Sequence, residues 1–123
     1  MAQQEVSISL SASNPDGTVQ AFPRGGQFEG VLTLITELDS ISGGTSPAVN
    51  VKVQASNDGL HWTDLTGNQG NLQNPGDWVQ LTDGSVFSLA TLGHYRSFRV
   101  LSSATGAPSD YEASVTGQIT WQD

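Results

Sequence analysis

The run Tyr111-Glu112-Ala113-Ser114-Val115-Thr116-Gly117-Gln118-Ile119-Thr120-Trp121-Gln122 alternates apolar and polar residues without a break. A strand turns successive side chains to opposite faces. This period of two therefore sets Tyr111, Ala113, Val115, Gly117, Ile119 and Trp121 against a core, and Glu112 to Gln122 on the other parity in water. One buried and one solvated face is the signature of an antiparallel sheet. Because the pattern runs almost to the last residue, the C-terminal end is expected to be held in the sheet.

Working outward, the same alternation recurs in Val6-Ser7-Ile8-Ser9-Leu10-Ser11-Ala12, which ends at Asn14-Pro15-Asp16-Gly17. Pro presets φ and Gly accepts positive φ, so that tetrapeptide predicts a turn. Val49-Asn50-Val51-Lys52-Val53-Gln54-Ala55 alternates again and meets Asn57-Asp58-Gly59, then His61-Trp62-Thr63-Asp64-Leu65. Asp-Gly between two such runs predicts a hairpin, with Trp62 on the core face of the return strand.

Other segments are less regular. Between Phe28 and Ile41, Leu32, Leu34 and Leu38 share one face while Val31 and Ile35 share the other, which predicts a central strand or one that passes between two contacts; a helix is the alternative, disfavoured by the β-branched Val, Thr and Ile residues. Trp78-Val79-Gln80-Leu81 and Tyr95 to Leu101 read as strands, and Val86 to Leu92 is an apolar stretch of open type. Phe22 to Gly26, Gly43 to Pro47, Gly67 to Asp77 and Ser102 to Asp110 read as loops. The whole predicts an all-β, single-domain antiparallel β-sandwich, jelly-roll or Ig-like, of about seven to eight strands. One domain covers residues 1–123, with 1–25 as an N-terminal strand of that sheet or an arm used in assembly.

Composition agrees. A chain of 123 residues is long enough to bury a core without staples, and it has no cysteine. Only 13% of residues are charged, poor material for surface helices. Lys and Arg total 4 against 12 Asp and Glu, for a net charge of −8. The basic residues are Arg24, Lys52, Arg96 and Arg99, with no basic stripe for a phosphate backbone, so no nucleic-acid partner is expected. No segment approaches the ~20 apolar residues of a membrane span. Met1-Ala2-Gln3-Gln4-Glu5 has neither basic stretch nor apolar run, so the expectation is synthesis in a host cytoplasm without a signal peptide.

Catalytic constellations are sparse. His61 and His94 are the two histidines, and neither comes with an oriented partner that sequence can identify. No Gly-x-Ser-x-Gly elbow is present, although chain order alone leaves a Ser/His/Asp triad open. Asp58, Asp64, Asp77 and Asp83 lie mostly in or beside Gly-containing turns, where Asp bonds the local backbone. The oxygen-rich turns at Asn14–Gly17 and Asn57–Gly59 lack the ligand spacing of a calcium loop. No catalytic residue, cofactor or metal is therefore expected. Among Trp62, Trp78 and Trp121, Trp78 beside the polar loop is the candidate to stack on a ligand, while the other two are expected in the core.

The stretch Gly44-Thr45-Ser46-Pro47, the strand to Ala55, and Ser56-Asn57-Asp58-Gly59-Leu60-His61-Trp62 resemble, as a unit, small β-sandwich proteins of tailed-phage virions. The later Tyr95-Arg96 strand and the loop with Gly106 and Pro108 extend the likeness over Phe28 to Trp121. The resemblance implies a non-enzymatic capsid decoration, or cement, protein: a homotrimer on the outer virion surface that bridges subunits of the major capsid protein. It carries over no catalytic residue. The hairpin motif also occurs as a structural turn in discoidin-like and carbohydrate-binding sandwiches. The alternative is thus a carbohydrate-binding module used in adhesion, with a hydrolase a distant third.

Overall fold

Each long alternating run buries one parity of its side chains and wets the other, and the two sheets that result face each other across a single apolar layer. The computed structural model describes residues 2–26, 30–64 and 95–122, and the backbone of 79–80 and 85–90. Its strands are β1 (Ala2–Ser11), β2 (Gln20–Ala21), β3 (Gly30–Ser42), β4 (Ala48–Ser56), β5 (Thr63–Asp64), β6 (Val79–Gln80), β7 (Ser85–Ala90), β8 (Ser97–Thr105) and β9 (Asp110–Trp121). The first sheet has the order β1-β9-β3-β7; the second has β2-β8-β4-β5, with β6 also on β4. All the pairings are antiparallel.

This order decides between the two sandwich topologies left open by the sequence. In an immunoglobulin domain the first two strands share a sheet and the last lies in the other. Here β1 and β2 lie in different sheets, and β9 sits between β1 and β3. The chain crosses the core at nearly every connection, which is the jelly-roll arrangement. β5 and β6 pair successively along the same edge of β4, at Gln54–Ala55 and at Asn50–Val51, so they occupy one strand position.

The core is filled by Val6, Ile8 and Leu10 from β1, Leu32 and Leu34 from β3, Val49, Val51, Val53 and Ala55 from β4, Phe98 and Val100 from β8, and Tyr111, Ala113, Val115 and Ile119 from β9. Full burial of each such aliphatic side chain is worth about 1.5–3 kcal/mol. Trp121 and Leu38 pack against this layer partly buried. β3 is the central strand expected, and its outward Ile35 remains 47% exposed. Gly117 lies where β9 meets β3 most closely: a Cβ there would sit in the Thr33 carbonyl.

Several boundaries differ from the expectation. The turn after β1 is Ser11 to Asn14, closed by reciprocal N–H···O bonds of 3.1 Å. Pro15 to Gly17 is not a turn; it runs along β8, with Gly17 N–H donating to Val100 O and Ser102 N–H to Pro15 O. The buried Ser102 hydroxyl also donates to Pro15 O, at 2.8 Å, and so accepts from the Tyr111 hydroxyl, at 2.8 Å. β8 starts at Ser97 rather than Tyr95 and continues to Thr105, so the expected Ser102–Asp110 loop shrinks to four residues, 106–109. Long-range pairing of Ala48–Val51 with Ser102–Thr105 overrides the local Ser-rich composition there. Phe22, read as part of a loop, is buried with its ring 4.8 Å from that of Phe98.

The loops that carry the family resemblance meet at one end of the sandwich. Thr45 N–H donates to Gly106 O, and Cβ atoms on Gly44 or Gly106 would strike the opposing loop's backbone.

Candidate functional site

Two clusters of polar side chains stand out, both on the second sheet. The first is the β4–β5 hairpin. Its last and first paired residues are Ala55 and Thr63, so the connection is far wider than a two-residue Asp-Gly turn. Side chains close it instead. Ser56 Oγ accepts from the N–H groups of Asp58 and Gly59 and donates to Asp58 Oδ1 at 3.1 Å. Asp58 Oδ1 also accepts from Leu60 and His61 N–H, both at 2.8 Å, and Asp58 Oδ2 accepts from His61 Nδ1 at 2.6 Å. Gly59 supplies the positive φ, 76°. The His61 N–H, the His61 ring and the Leu60 N–H hold the Asp58 carboxyl well below the usual carboxylate range. The hydrogen bond to Asp58, and then its negative charge, raise the His61 imidazole above its ordinary value.

This places His61, Asp58 and Ser56 together, but not as a nucleophile, base and orienter. A triad needs the hydroxyl on the imidazole. Here the Ser56 hydroxyl donates to the carboxylate and accepts two backbone N–H groups. The imidazole stands on the surface, 89% exposed, beside an open depression of ≈ 200 Å³ that Thr63 and Tyr95 also line. The chemistry of the set is that of a turn staple.

The second cluster covers the outward face of β8, β4 and β5. Arg99 lies over the Trp62 ring, 4.1 Å from its centroid, and its Nε and Nη2 both donate to Gln54 Oε1, at 3.0 and 2.8 Å. Gln54 Nε2 donates to Asp64 Oδ1 at 2.7 Å, and Lys52 Nζ lies 3.4 Å from the same oxygen. Trp62 therefore does not cover the core. Asp64 pairs with the outward Gln54, and Trp62, two residues earlier, shares that parity. Pairing with Arg99 offsets the exposure of its ring.

Trp78, the expected ligand-stacking residue, lies outside the described residues, as do His94, Asp77 and Asp83. Trp121 packs against the core as expected. Among the described residues, no group of three or more His, Asp or Glu side chains is placed to hold a metal ion. A further depression, ≈ 340 Å³, opens on the first sheet between Ser9, Ser11, Asn14, Asp39, Glu112 and Ser114. The Trp62–Arg99–Gln54–Asp64–Lys52 array is invisible to a single-strand reading because its members come from three segments. Only the β4/β8 register, Gln54 opposite Arg99, brings them together.

No family model and no curated protein matches the sequence. Two solved structures align with this chain. The SPBc2 prophage-derived protein YomS aligns over 98% of this chain and 96% of its own, with a TM-score of 0.58 at 17% identity. A protein of Bacillus endospore appendages, disulfide-linked pili, aligns over 98% and 88%, with a TM-score of 0.41 at 17% identity.

Proposed function

We propose that this chain is a non-enzymatic structural protein of a phage-type particle, and within that class a decoration protein that binds the outer capsid surface across junctions between major capsid protein subunits. The observation that carries the reading is the end-to-end likeness of its jelly roll to a prophage-derived protein. The resemblance to virion proteins supports it, and the Gly44–Pro47 and Gly106–Pro108 loops that bear it pack on one another at one end of the sandwich. Its surface chemistry suits the role. A net charge of −8 opposes non-specific aggregation of free copies. Binding then rests on an interface of about 1,000 Å² or on many weaker contacts repeated over a lattice.

Co-sedimentation tests this reading. Purified protein is mixed with shells assembled from the major capsid protein of the same genome and lacking this chain. Saturable, stoichiometric pelleting and greater resistance of the shells to heat are expected. Protein that stays in the supernatant at every ratio would remove the reading.

A further inference from the structure

β1 is the edge strand of the first sheet: it pairs with β9 and, among the described residues, with nothing on its other side. Its ladder is unbroken over ten residues, from Ala2 opposite Trp121 to Ser11 opposite Glu112. The direction of its free backbone groups follows from one turn. Ser11 gives both its N–H and its C=O to Asn14, so they point away from β9. Strand alternation then aims the N–H and C=O of Gln3, Glu5, Ser7 and Ser9 away from β9 as well. The side chains of these four residues are exposed.

Natural sheets blunt such edges with Pro, Lys, bulges or very short strands. β1 has no Pro, no Lys and no bulge, and it carries one carboxylate, Glu5. We propose that the β1 edge is a self-association surface whose occupant is the β1 strand of a second copy, antiparallel about a two-fold axis through Ser7.

The register follows from charge and from which groups are free. Centring on Ser7 opposes Ser7 to Ser7 and Glu5 to Ser9, with each opposed pair exchanging two N–H···O=C bonds. Centring on Glu5 would oppose the two Glu5 carboxylates, and centring on Val6 would make them diagonal neighbours on one face, whereas the Ser7 register sets them farther apart. Centring on Ser9 would oppose Ser7 to Ser11, whose groups are already bonded to Asn14, and leave one bonded pair; the Ser7 register meets Ser11 only at its outer ends, opposite Gln3, and keeps its three central pairs. The inward Val6, Ile8 and Leu10 are already buried in a single copy, so the contact draws on backbone hydrogen bonds rather than new apolar burial. Such a contact is isologous and gives a dimer. Because each copy carries −8, added salt screens their repulsion and tightens it. The inference stands on the edge geometry alone and does not need the capsid reading.

Sedimentation equilibrium of the full chain tests it. A monomer–dimer equilibrium that shifts toward dimer with salt is expected. Ser7→Pro removes an N–H that β9 does not use, so it is expected to leave the melting temperature near that of the native chain and to abolish the dimer. The absence of native cysteine allows a second readout. Ser7→Cys should be joined by a short bifunctional thiol reagent far more efficiently than Ser13→Cys in the exposed turn; this arm decides if Ser7→Pro fails to fold. A chain that stays monomeric with equal cross-linking at both positions overturns the proposal. So does an oligomer that folded Ser7→Pro leaves intact.

Discussion

The two outer faces of this sandwich are built on the same alternation and end up different. On the first sheet, the outward residues of β9 and β1 are Glu112, Ser114, Thr116, Gln118 and Thr120 beside Ser9, Ser7 and Glu5, most of them too short to reach a neighbouring strand's side chain. On the second, Lys52, Gln54, Arg99 and Asp64 span the strand spacing and lock together over Trp62. The Lys52–Asp64 and Asp58–His61 ion pairs lie on the second sheet and its hairpin. Side-chain length decides the outcome: opposed residues sit about 5 Å apart, which a serine hydroxyl rarely bridges and a guanidinium bridges easily. The second face is pre-shaped, whereas the first offers an unlocked polar surface bordered by an open strand edge.

The contrast begins in the core beneath. Phe98 of the second sheet is fully buried against Phe22, so Phe98→Ala is expected to cost about 3–5 kcal/mol in chemical denaturation. The first sheet is limited by space instead. Gly117→Ala drives a methyl into the Thr33 carbonyl and is expected to cost about 1–3 kcal/mol. A Gly117→Ala chain as stable as the native one would show that β9 and β3 are not in close contact.

At the surface, Arg99→Ala removes both donors to Gln54 Oε1 and uncovers Trp62, for an expected loss of about 1–2 kcal/mol. Thr116→Ala on the opposite face should stay within about 0.5 kcal/mol of the native value. Equal losses would erase the distinction between the faces. A double-mutant cycle on Arg99 and Trp62 sharpens it, with an expected coupling near 0.5–1 kcal/mol.

The smallest effect is the pH response of the exposed hairpin. Asp58 is more acidic folded than unfolded, so its contribution is present above its unfolded pKa and is lost as pH falls through the folded one. His61 is the reverse: its contribution is full below its unfolded pKa and is lost as pH rises through the raised folded value. Melting temperatures of Asp58→Asn should therefore vary less than those of the native chain both in acid and through the histidine range. Parallel profiles would mean that the turn holds without the Asp58–His61 bond.

Much of the fold was legible because a period of two is a local property. Val6 to Leu10, Val49 to Ala55 and Tyr111 to Trp121 announced their buried faces, and all of them lie in the core or against it. Trp62 did not, since an isolated aromatic after a turn has no alternation to fix its side, and the expectation that it faced the core failed. Phe22 was hidden in a Pro- and Gly-rich stretch for the same reason.

The sequence by itself determined that this chain is a small antiparallel sandwich, because alternation and turn chemistry act between neighbours along the chain. Tertiary structure alone decided that it is a jelly roll, that Arg99 meets Gln54 and Trp62, and that β1 is left at an edge. Each of those depends on which strands pair and in what register. That choice is made by contacts between residues as far apart as Gln54 and Arg99, to which local periodicity is blind.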